Sequence, residues 1–576
     1  MHICESEFIK MQVKDIIKTE LHMCVRGVSP VFLLSWLGVL CVGLLTREPM
    51  IGDEVTHYYL AVAQSRDLSN LTMTAEIPKQ DGFMDVRTYP HVILWHYLAA
   101  IVLRLSGGSF VAVQILQSLF WLQMLIYSWL LFRSENSEES GVLVYVTILA
   151  SLPACLIFGV TFYQDVPAIA QMMASFYYLR QRRLAWSVVF LLLALSIKET
   201  MFVMIPAYFG VMLFVYPWRE FRRKVLVLVG SVGFLFLIFF VGTTCLFNSL
   251  HQEYYPYKTI RSAIQKLGID VRAIEDRLIG HEKAEERKAR EKKAVEARLV
   301  LLKRDNPEIL LSDILTKQTR QQIANNPGDV RSPVNLLIYG GALFWVVLCI
   351  GTVMLFRGAS DGGRQKKWNF IWMGCGLWYV VVTALIVRSA PDARFFLPGV
   401  PLVLIGMAGP VSWLPGRRVW LPVLMFLALM QTAVVLGKTY QLRHVKSGVI
   451  GAIEFLRQNP PIPNKVFMYP EGSYRLFPCS HEWYMGINRL RDFWRGNNDE
   501  RIQTLQKNKV GAIVIKKWLV APIDKNMNNL GIYPDFFVKQ IAEDQRFVRT
   551  YENQEIMIYS VPPLQQAETN NCFNVK

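Results

Sequence analysis

Apolar runs recur along the chain, separated by short polar connectors. They fall at 29–45, 110–131, 141–160, 166–178, 184–195, 202–215, 225–246, 336–355, 370–386, 396–411 and 419–436, which predicts eleven transmembrane helices. One more stretch, 90–105, is apolar but short, with Arg104 near its end and Gly107-Gly108 after it. Its His91, Trp95, His96 and Tyr97 suit headgroup level, so it reads as a helix lying in the outer interface. Past Thr439 the pattern changes. Helical periodicity at 450–456 and 536–541 alternates with β-rich runs at 465–469, 510–515 and 556–561. That alternation predicts a small α/β domain.

Charge then orients the spans. Lys14, Lys18 and Arg26 precede the first run, which places the N-terminus in the cytoplasm. The basic clusters 180–183, 219–224, 364–367 and 417–418 all fall on the inner side if 90–105 does not cross. Only the connector 133–139 is net acidic. Making 90–105 a true span would turn all four basic clusters outward, against the positive-inside rule. The expected layout is a cytoplasmic segment 1–28, a membrane domain 29–437 and an outer-side α/β domain 438–576. Two outer segments interrupt the membrane domain, a loop at 46–109 and an insertion at 248–332. The outer side is periplasm, cell exterior or an organelle lumen. The middle of the insertion, 276–305, is rich in Glu, Lys, Arg and Ala, which predicts a solvated helix; a lid or an acceptor-docking arm is the sharper alternative. The first run has no convincing small-residue cleavage site and reads as an uncleaved signal anchor.

Composition adds less. The chain has 576 residues, 52% of them hydrophobic, only slightly above the roughly 45–50% of soluble domains. The net charge of +17 sits largely in connectors between apolar runs, so it speaks for membrane orientation and against a nucleic-acid partner. Of nine Cys, Cys41, Cys155, Cys245, Cys349 and Cys375 lie in or beside apolar runs and read as buried thiols. Cys479 and Cys572 suit a pair in an oxidising compartment. Asn70-Leu71-Thr72 matches a glycosylation sequon, a pattern common by chance.

Four outer-side features carry chemistry. Asp53-Glu54 follow the first span directly, with His57, Tyr58 and Tyr59 behind them. Asp165 stands before Val166-Pro167 where an outward span ends and an inward one begins, so it is either a helix cap or a functional carboxylate at the membrane. Lys198 sits between two apolar runs; it suits a phosphate, a pair with Glu199, or snorkelling to the interface. Arg388 and Arg394 bracket Ser-Ala-Pro-Asp-Ala just before a late span, at the depth of a lipid phosphate. Carboxylates with outer-side cations suit transfer of a sugar carried on a lipid phosphate. The acceptor needs a base, and the departing phosphate needs cations or a metal. No phosphate-binding P-loop and no dinucleotide fingerprint is visible.

Taken in order, these motifs resemble the GT-C superfamily of membrane glycosyltransferases, near the branch of protein O-mannosyltransferases and lipid A aminoarabinose transferases. The pattern is an acidic pair after the first span (Asp53-Glu54), then an amphipathic segment opened by Tyr89-Pro90-His91. An acidic residue before Pro in the next outer loop follows (Asp165), then a Lys ending a later outward span (Lys198) and an Arg-aromatic-x-x-Pro element (394–398). The resemblance implies an α-helical polytopic fold and an inverting transfer from a polyprenyl-phosphate sugar, dolichyl or undecaprenyl. The acceptor is a lipid, glycan or protein on the outer face. It implies Asp53 as general base beside Glu54, and Asp165 positioning the donor or a divalent metal. Lys198 and Arg394 would contact the lipid phosphate. Beyond the resemblance, His57, Tyr58, Tyr89, His91 and Arg388 are candidate substrate contacts by their place in these outer segments. Relatives often carry an acidic-Lys-Pro element where this chain has Thr88-Tyr89-Pro90, which leaves metal dependence open.

Two other classes share the many spans. A transporter or flippase of a lipid-linked substrate would show paired repeats and broken helices in matching halves, and no such repeat is seen. A non-catalytic assembly subunit would rest on the C-terminal domain alone.

Overall fold

The computed structural model describes residues 30–46, 53–68, 74–78, 84–88, 94–135, 138–247, 333–357, 363–386, 393–412, 414–444, 448–463, 466–468, 493–517, 520–521 and 533–562. The expected insertion 248–332, the segment 1–28, the sequon and Cys479 and Cys572 lie outside these residues. The chain forms two compact units. The first comprises Met1–Leu45, Pro90–Trp95 and Val111–Lys438, the second Thr46–Tyr89, His96–Phe110 and Thr439–Lys576.

In chain order the elements begin with α1 (Pro30–Leu45), α2 (Asp53–Arg66), β1 (Thr74–Pro78), β2 (Met84–Thr88) and α3 (Leu94–Leu105). Then come α4 (Phe110–Glu135), α5 (Glu139–Ser151), α6 (Pro153–Val160), α7 (Asp165–Arg180) and α8 (Leu184–Ile197). A 3₁₀ turn, Glu199–Met204, leads into α9 (Ile205–Val215), followed by α10 (Trp218–Phe247), α11 (Pro333–Arg357) and α12 (Gly363–Ile386). Two 3₁₀ turns, Ala393–Phe395 and Leu397–Gly399, precede α13 (Val400–Val411), and α14 (Arg417–His444) follows. The remainder is α15 (Gly448–Gln458), β3 (Val466–Met468), α16 (Asn498–Lys507), β4 (Ala512–Lys516), β5 (Val520–Ala521), β6 (Tyr533–Pro534), α17 (Asp535–Glu543), β7 (Val548–Glu552) and β8 (Ile556–Ser560).

Every apolar run predicted as a span falls on helix. Among the described residues, though, only α4 and α14 are each long and apolar enough to cross a membrane, with the bent pair α5–α6 as a third. Shorter apolar helical segments, Pro30–Leu45, Leu94–Leu105, Leu184–Ile197, Glu199–Val215, Tyr339–Leu355 and Leu397–Val411, are 10–17 residues long, roughly 15–26 Å at 1.5 Å per residue, against a hydrocarbon core of about 30 Å. The span expected over 141–160 is two helices bent by 52°. Pro153 lacks an N–H and pushes Leu152 into an extended conformation (φ −62°, ψ 121°), which breaks the helix there. The outward faces are apolar: Val419 is 73% and Phe426 62% exposed on α14. Large side chains of this kind suit lipid rather than water. Cys155 and Cys375 are buried as expected, whereas Cys41 and Cys349 are exposed, on helices apolar enough to present one face outward.

Within the helical unit, α7 and α8 are stapled by their serines. The Ser175 hydroxyl donates to the Ser187 carbonyl and the Ser187 hydroxyl to the Ser175 carbonyl, both at 2.7 Å and buried. Helix α12 passes so close to the second 3₁₀ turn that a Cβ at Gly376 would lie 2.5 Å from the Gly399 carbonyl oxygen. Only glycine permits that approach, and it packs α12 against the turns that follow Arg394.

In the second unit β1 and β2 form an antiparallel hairpin with Thr74 opposite Thr88. The amphipathic stretch expected over 90–105 is the 12-residue α3, too short to span. The C-terminal part is the α/β arrangement expected. Its four-stranded sheet runs β3-β4-β8-β7, with β3 parallel to β4 and the other pairs antiparallel. Side chains alternate across β4, so Ile513 and Ile515 pack with Leu505 of α16 and Phe537 and Ile541 of α17. Ala512 and Val514 pack on the other face with Ala452, Ile453 and Leu456 of α15.

Candidate active site

Asp165 opens α7. Thr161 is extended (φ −101°, ψ 140°) and ends α6, and Pro167 in the first turn of α7 suits a helix start. The cap position is Gln164, so Asp165 is the first helical residue rather than the cap. A carboxylate there is favoured by the helix dipole. At the far end of α8, Lys198 leaves helical geometry (φ −145°, ψ 125°) while its N–H still reaches the Ala194 carbonyl at 3.1 Å. The Lys198 ammonium donates to the Asp165 carboxylate. Their side chains are only 5% and 3% exposed. Lys198 therefore neither snorkels nor pairs with Glu199 as its described ion pair; its partner lies 33 residues earlier.

Arg394 arrives on the first of the two 3₁₀ turns, directly before the one that Gly376 and Gly399 allow close to α12. Its guanidinium lies 4.6 Å over the Tyr163 ring and 5.1 Å over the Phe395 ring. The Lys198 ammonium also lies 5.1 Å from the centre of the Phe395 ring. One aromatic ring thus receives two cations, each favoured by the ring quadrupole. The buried Tyr379 hydroxyl of α12 donates to the Thr200 hydroxyl at 3.2 Å, tying that helix to the turn after Lys198. Residues 163, 165, 198, 394 and 395 therefore form one cluster inside the helical unit. A lysine ammonium has three donors, and Asp165 takes one of them. The cluster can hold a phosphate oxyanion beside a pre-oriented ammonium and guanidinium.

In the second unit, Asp53 and Glu54 occupy the first turn of α2 rather than a loop. Glu54 is fully buried, unlike the exposed loop carboxylate expected there. One turn further on, a ring nitrogen of His57 (Nδ1) shares a 2.8 Å hydrogen bond with Nε2 of His96 on α3. The two rings stack with centroids 5.0 Å apart, and both residues are buried. His96 is thus held inside the unit rather than at headgroup level. Tyr58 donates from its hydroxyl to the Gly108 carbonyl at 3.3 Å and meets Phe110 edge-on. Tyr89, His91 and Arg388 lie outside the described residues.

Among the described residues no three His, Cys, Asp or Glu side chains gather as a metal site requires. Asp165, the residue expected to help hold a metal, is engaged by Lys198. The described residues do not fit such an ion. Two participants escaped the sequence reading of the site: the Tyr163 ring and the pairing of His57 with His96. The signal for the first was an aromatic two positions before Asp165, in a sequence rich in aromatics.

No protein-family model matches the chain. No curated protein matches it by sequence. Among solved structures it is similar to ArnT from Cupriavidus metallidurans in the apo state, at 10% identity and a TM-score of 0.42, covering 92% of this chain and 97% of that one. The same enzyme bound to undecaprenyl phosphate gives 13% identity and a TM-score of 0.45 over the same shares, 92% and 97%. The arabinofuranosyltransferase AftD from Mycobacteria, in a single-residue variant, gives 10% identity and a TM-score of 0.46, covering 93% of this chain and 42% of that one.

Proposed function

We propose that the chain is an integral-membrane glycosyltransferase that moves a sugar from a polyprenyl-phosphate donor to an acceptor on the outer face of the membrane. The observation that carries this reading is the buried Asp165–Lys198 pair with Arg394 stacked beside it on Phe395. A cation pair held in place by a carboxylate and a ring is what a departing lipid phosphate requires. Lys198 and Arg394 hold that phosphate. Asp165 acts through Lys198, fixing its charge and position, and is a positioning residue. Asp53 serves as the base.

The step balances simply. Asp53 takes the proton of the acceptor hydroxyl or amine as that atom attacks the anomeric carbon. The bond from that carbon to the phosphate oxygen breaks, and the lipid phosphate leaves with the electron pair. Attack opposite the leaving group inverts the anomeric centre. The energy resides in the donor, so no nucleotide-binding fold is needed.

The test is turnover of radiolabelled dolichyl- and undecaprenyl-phosphate sugars by the purified protein in lipid, scored for transfer and for slow hydrolysis. Mannose, glucose and aminoarabinose donors form the panel. Consumption of one donor by the wild type, lost in Asp53→Asn and in the double variant Asp165→Asn/Lys198→Met at normal folded yield, is the expected result. Full turnover in Asp53→Asn removes that residue as the base. Binding of donors with no turnover of any would replace the enzyme by a transporter.

A further inference from the structure

Helix α7 has a second functional end. Arg180, its last residue, lies at the opposite end of the 16-residue helix from Asp165, about 22 Å away at 1.5 Å rise per residue. There the Arg180 guanidinium is held by Glu135 at 2.5 Å and stacks 4.5 Å over Trp368. Trp368 meets Phe214 edge-on with centroids 6.4 Å apart, and Lys367 lies 4.9 Å over the same Phe214 ring. Two residues on, Tyr216 carries Lys224 at 3.7 Å over its ring, and Arg182 follows Arg180 by two positions in the turn that ends α7. Lys367 and Arg182 are exposed, as are Phe214 (48%) and Trp218 (63%).

Several features mark this patch as more than a solvated basic face. The cations come from three separate elements, the end of α7 and the starts of α10 and α12, and they lie over rings from the end of α9 and the start of α12: Arg180 over Trp368, Lys367 over Phe214 and Lys224 over Tyr216. The carboxylates within it, Glu135 and Glu220, bind Arg180 and Lys224 and leave the charge strongly positive. Exposed Trp218 and Phe214 add an apolar surface continuous with the helix walls, where Leu213 and Leu226 are also exposed. A phosphate diester flanked by acyl chains matches that combination, whereas a soluble anion would leave the rings and leucines in water. Basic pockets between membrane helices on the inner side recognise anionic headgroups in this way.

We propose that Arg182, Lys224 and Lys367, with the Phe214 and Trp218 rings, form a binding site for the headgroup of an anionic phospholipid. The site is separate from the candidate active site and independent of the proposed reaction.

The test uses the full-length protein in neutral detergent, with phosphatidylglycerol and phosphatidylcholine as probes and retained lipid counted by native mass spectrometry. The wild type is expected to hold phosphatidylglycerol in preference. Lys224→Gln/Lys367→Gln should weaken that retention by about thirtyfold, at roughly tenfold or less per charge. A control with the same charge change, Arg417→Gln/Arg418→Gln, should leave it within about twofold, since these two lie outside the patch. Equal losses in both pairs would mean diffuse charge and overturn the site, as would no loss in the first. A measurement on the wild type alone backs this up. Bound phosphatidylglycerol should protect Lys224 and Lys367 from amine acetylation where phosphatidylcholine does not, and absence of protection also overturns it.

Discussion

Replacing Asp165 by Asn removes one charge and almost no volume. Because the Lys198 side chain is 5% exposed and the Asp165 side chain 3%, the ammonium then faces a low-dielectric surround without its anion. Breaking a buried pair from one side costs about 3–5 kcal/mol. At about 1.4 kcal/mol per tenfold, that is roughly two to three and a half decades in the folded-to-unfolded ratio. Lys198→Met should cost a similar amount, since it strands the carboxylate instead. The double variant Asp165→Asn/Lys198→Met removes both charges and replaces the lysine by an apolar chain of similar length. Exchanges of this kind at other buried pairs are near neutral or stabilising. The double variant should therefore recover most of the lost stability, giving a coupling of at least about 2 kcal/mol between the two sites.

The assay is thermal or denaturant unfolding of purified protein in one detergent, with donor turnover measured on the same samples. Recovered stability without recovered turnover is the expected outcome, because the double variant folds but has no ammonium for the phosphate. Two results would refute the reasoning. If Asp165→Asn unfolds like the wild type, the pair is not desolvated. If the double variant equals the sum of the singles, the two side chains do not act on each other.

Arg394→Lys keeps the charge and loses the planar stack on Tyr163 and Phe395. Donor KM should rise about five- to thirtyfold, for about 1–2 kcal/mol of stacking and bidentate geometry, and an unchanged KM would remove Arg394 from the phosphate. Gly376→Ala places a methyl 2.5 Å from the Gly399 carbonyl oxygen, so α12 and the turns after Arg394 must part; turnover should fall well before the C-terminal domain loses stability, and normal turnover contradicts that coupling. In the C-terminal domain, hydrogen bonds from the Arg546 side chain hold the Asp544 carboxyl well below the usual carboxylate range. Lys517 does the same, more weakly, for Glu552. Both folded values are depressed, so their contribution is fully present above the unfolded carboxylate range near pH 4 and is lost as pH falls through the folded values. Solvent screening keeps the effect small. Stability followed by tryptophan fluorescence should hold from pH 7 to 5 and decline below about pH 4, less steeply in Arg546→Gln; an identical decline in that variant would show that the pair does not set it.

Much of this architecture is local in origin and was therefore legible. Periodicity and run length place the helices, and the shift from apolar runs to alternating elements marks the C-terminal domain. The bend at Leu152–Pro153 was equally readable, because a proline inside an apolar run cannot continue the ladder, yet hydropathy alone merged the two helices. Helix α16 was missed although its start carries a capping box. The Asn497 side chain accepts from the Glu500 N–H at 2.9 Å, and the Glu500 carboxylate accepts from the Asn497 N–H at 3.2 Å. Strand β7 was missed for a different reason. It is an edge strand with mostly exposed side chains, so no apolar alternation marks it. The site divides along the same line. Asp165, Lys198 and Arg394 stood out one by one as charges beside apolar runs. Their joint arrangement, and the bond between His57 and His96, depend on pairing across 33, 39 and about 200 positions, which no local pattern encodes.

The Asp165–Lys198 pair also changes what a lysine can do here. A lysine buried alone sheds its proton, because burial penalises the charged form. With Asp165 beside it, Lys198 has a counter-ion and a fixed position before any donor arrives. The Phe395 ring adds to this for both cations, since a ring face attracts a positive charge. For Arg394 the arrangement has a further consequence. Stacking engages the face of the guanidinium, whereas bidentate phosphate binding engages its edge, so the two do not compete. In the proposed reaction the cluster thus sets two cations beside the leaving phosphate, Lys198 fixed by Asp165 and both lying over the Phe395 ring. That arrangement favours an oxyanion more strongly as its charge develops than in the ground state, which is the condition for catalysis rather than mere binding.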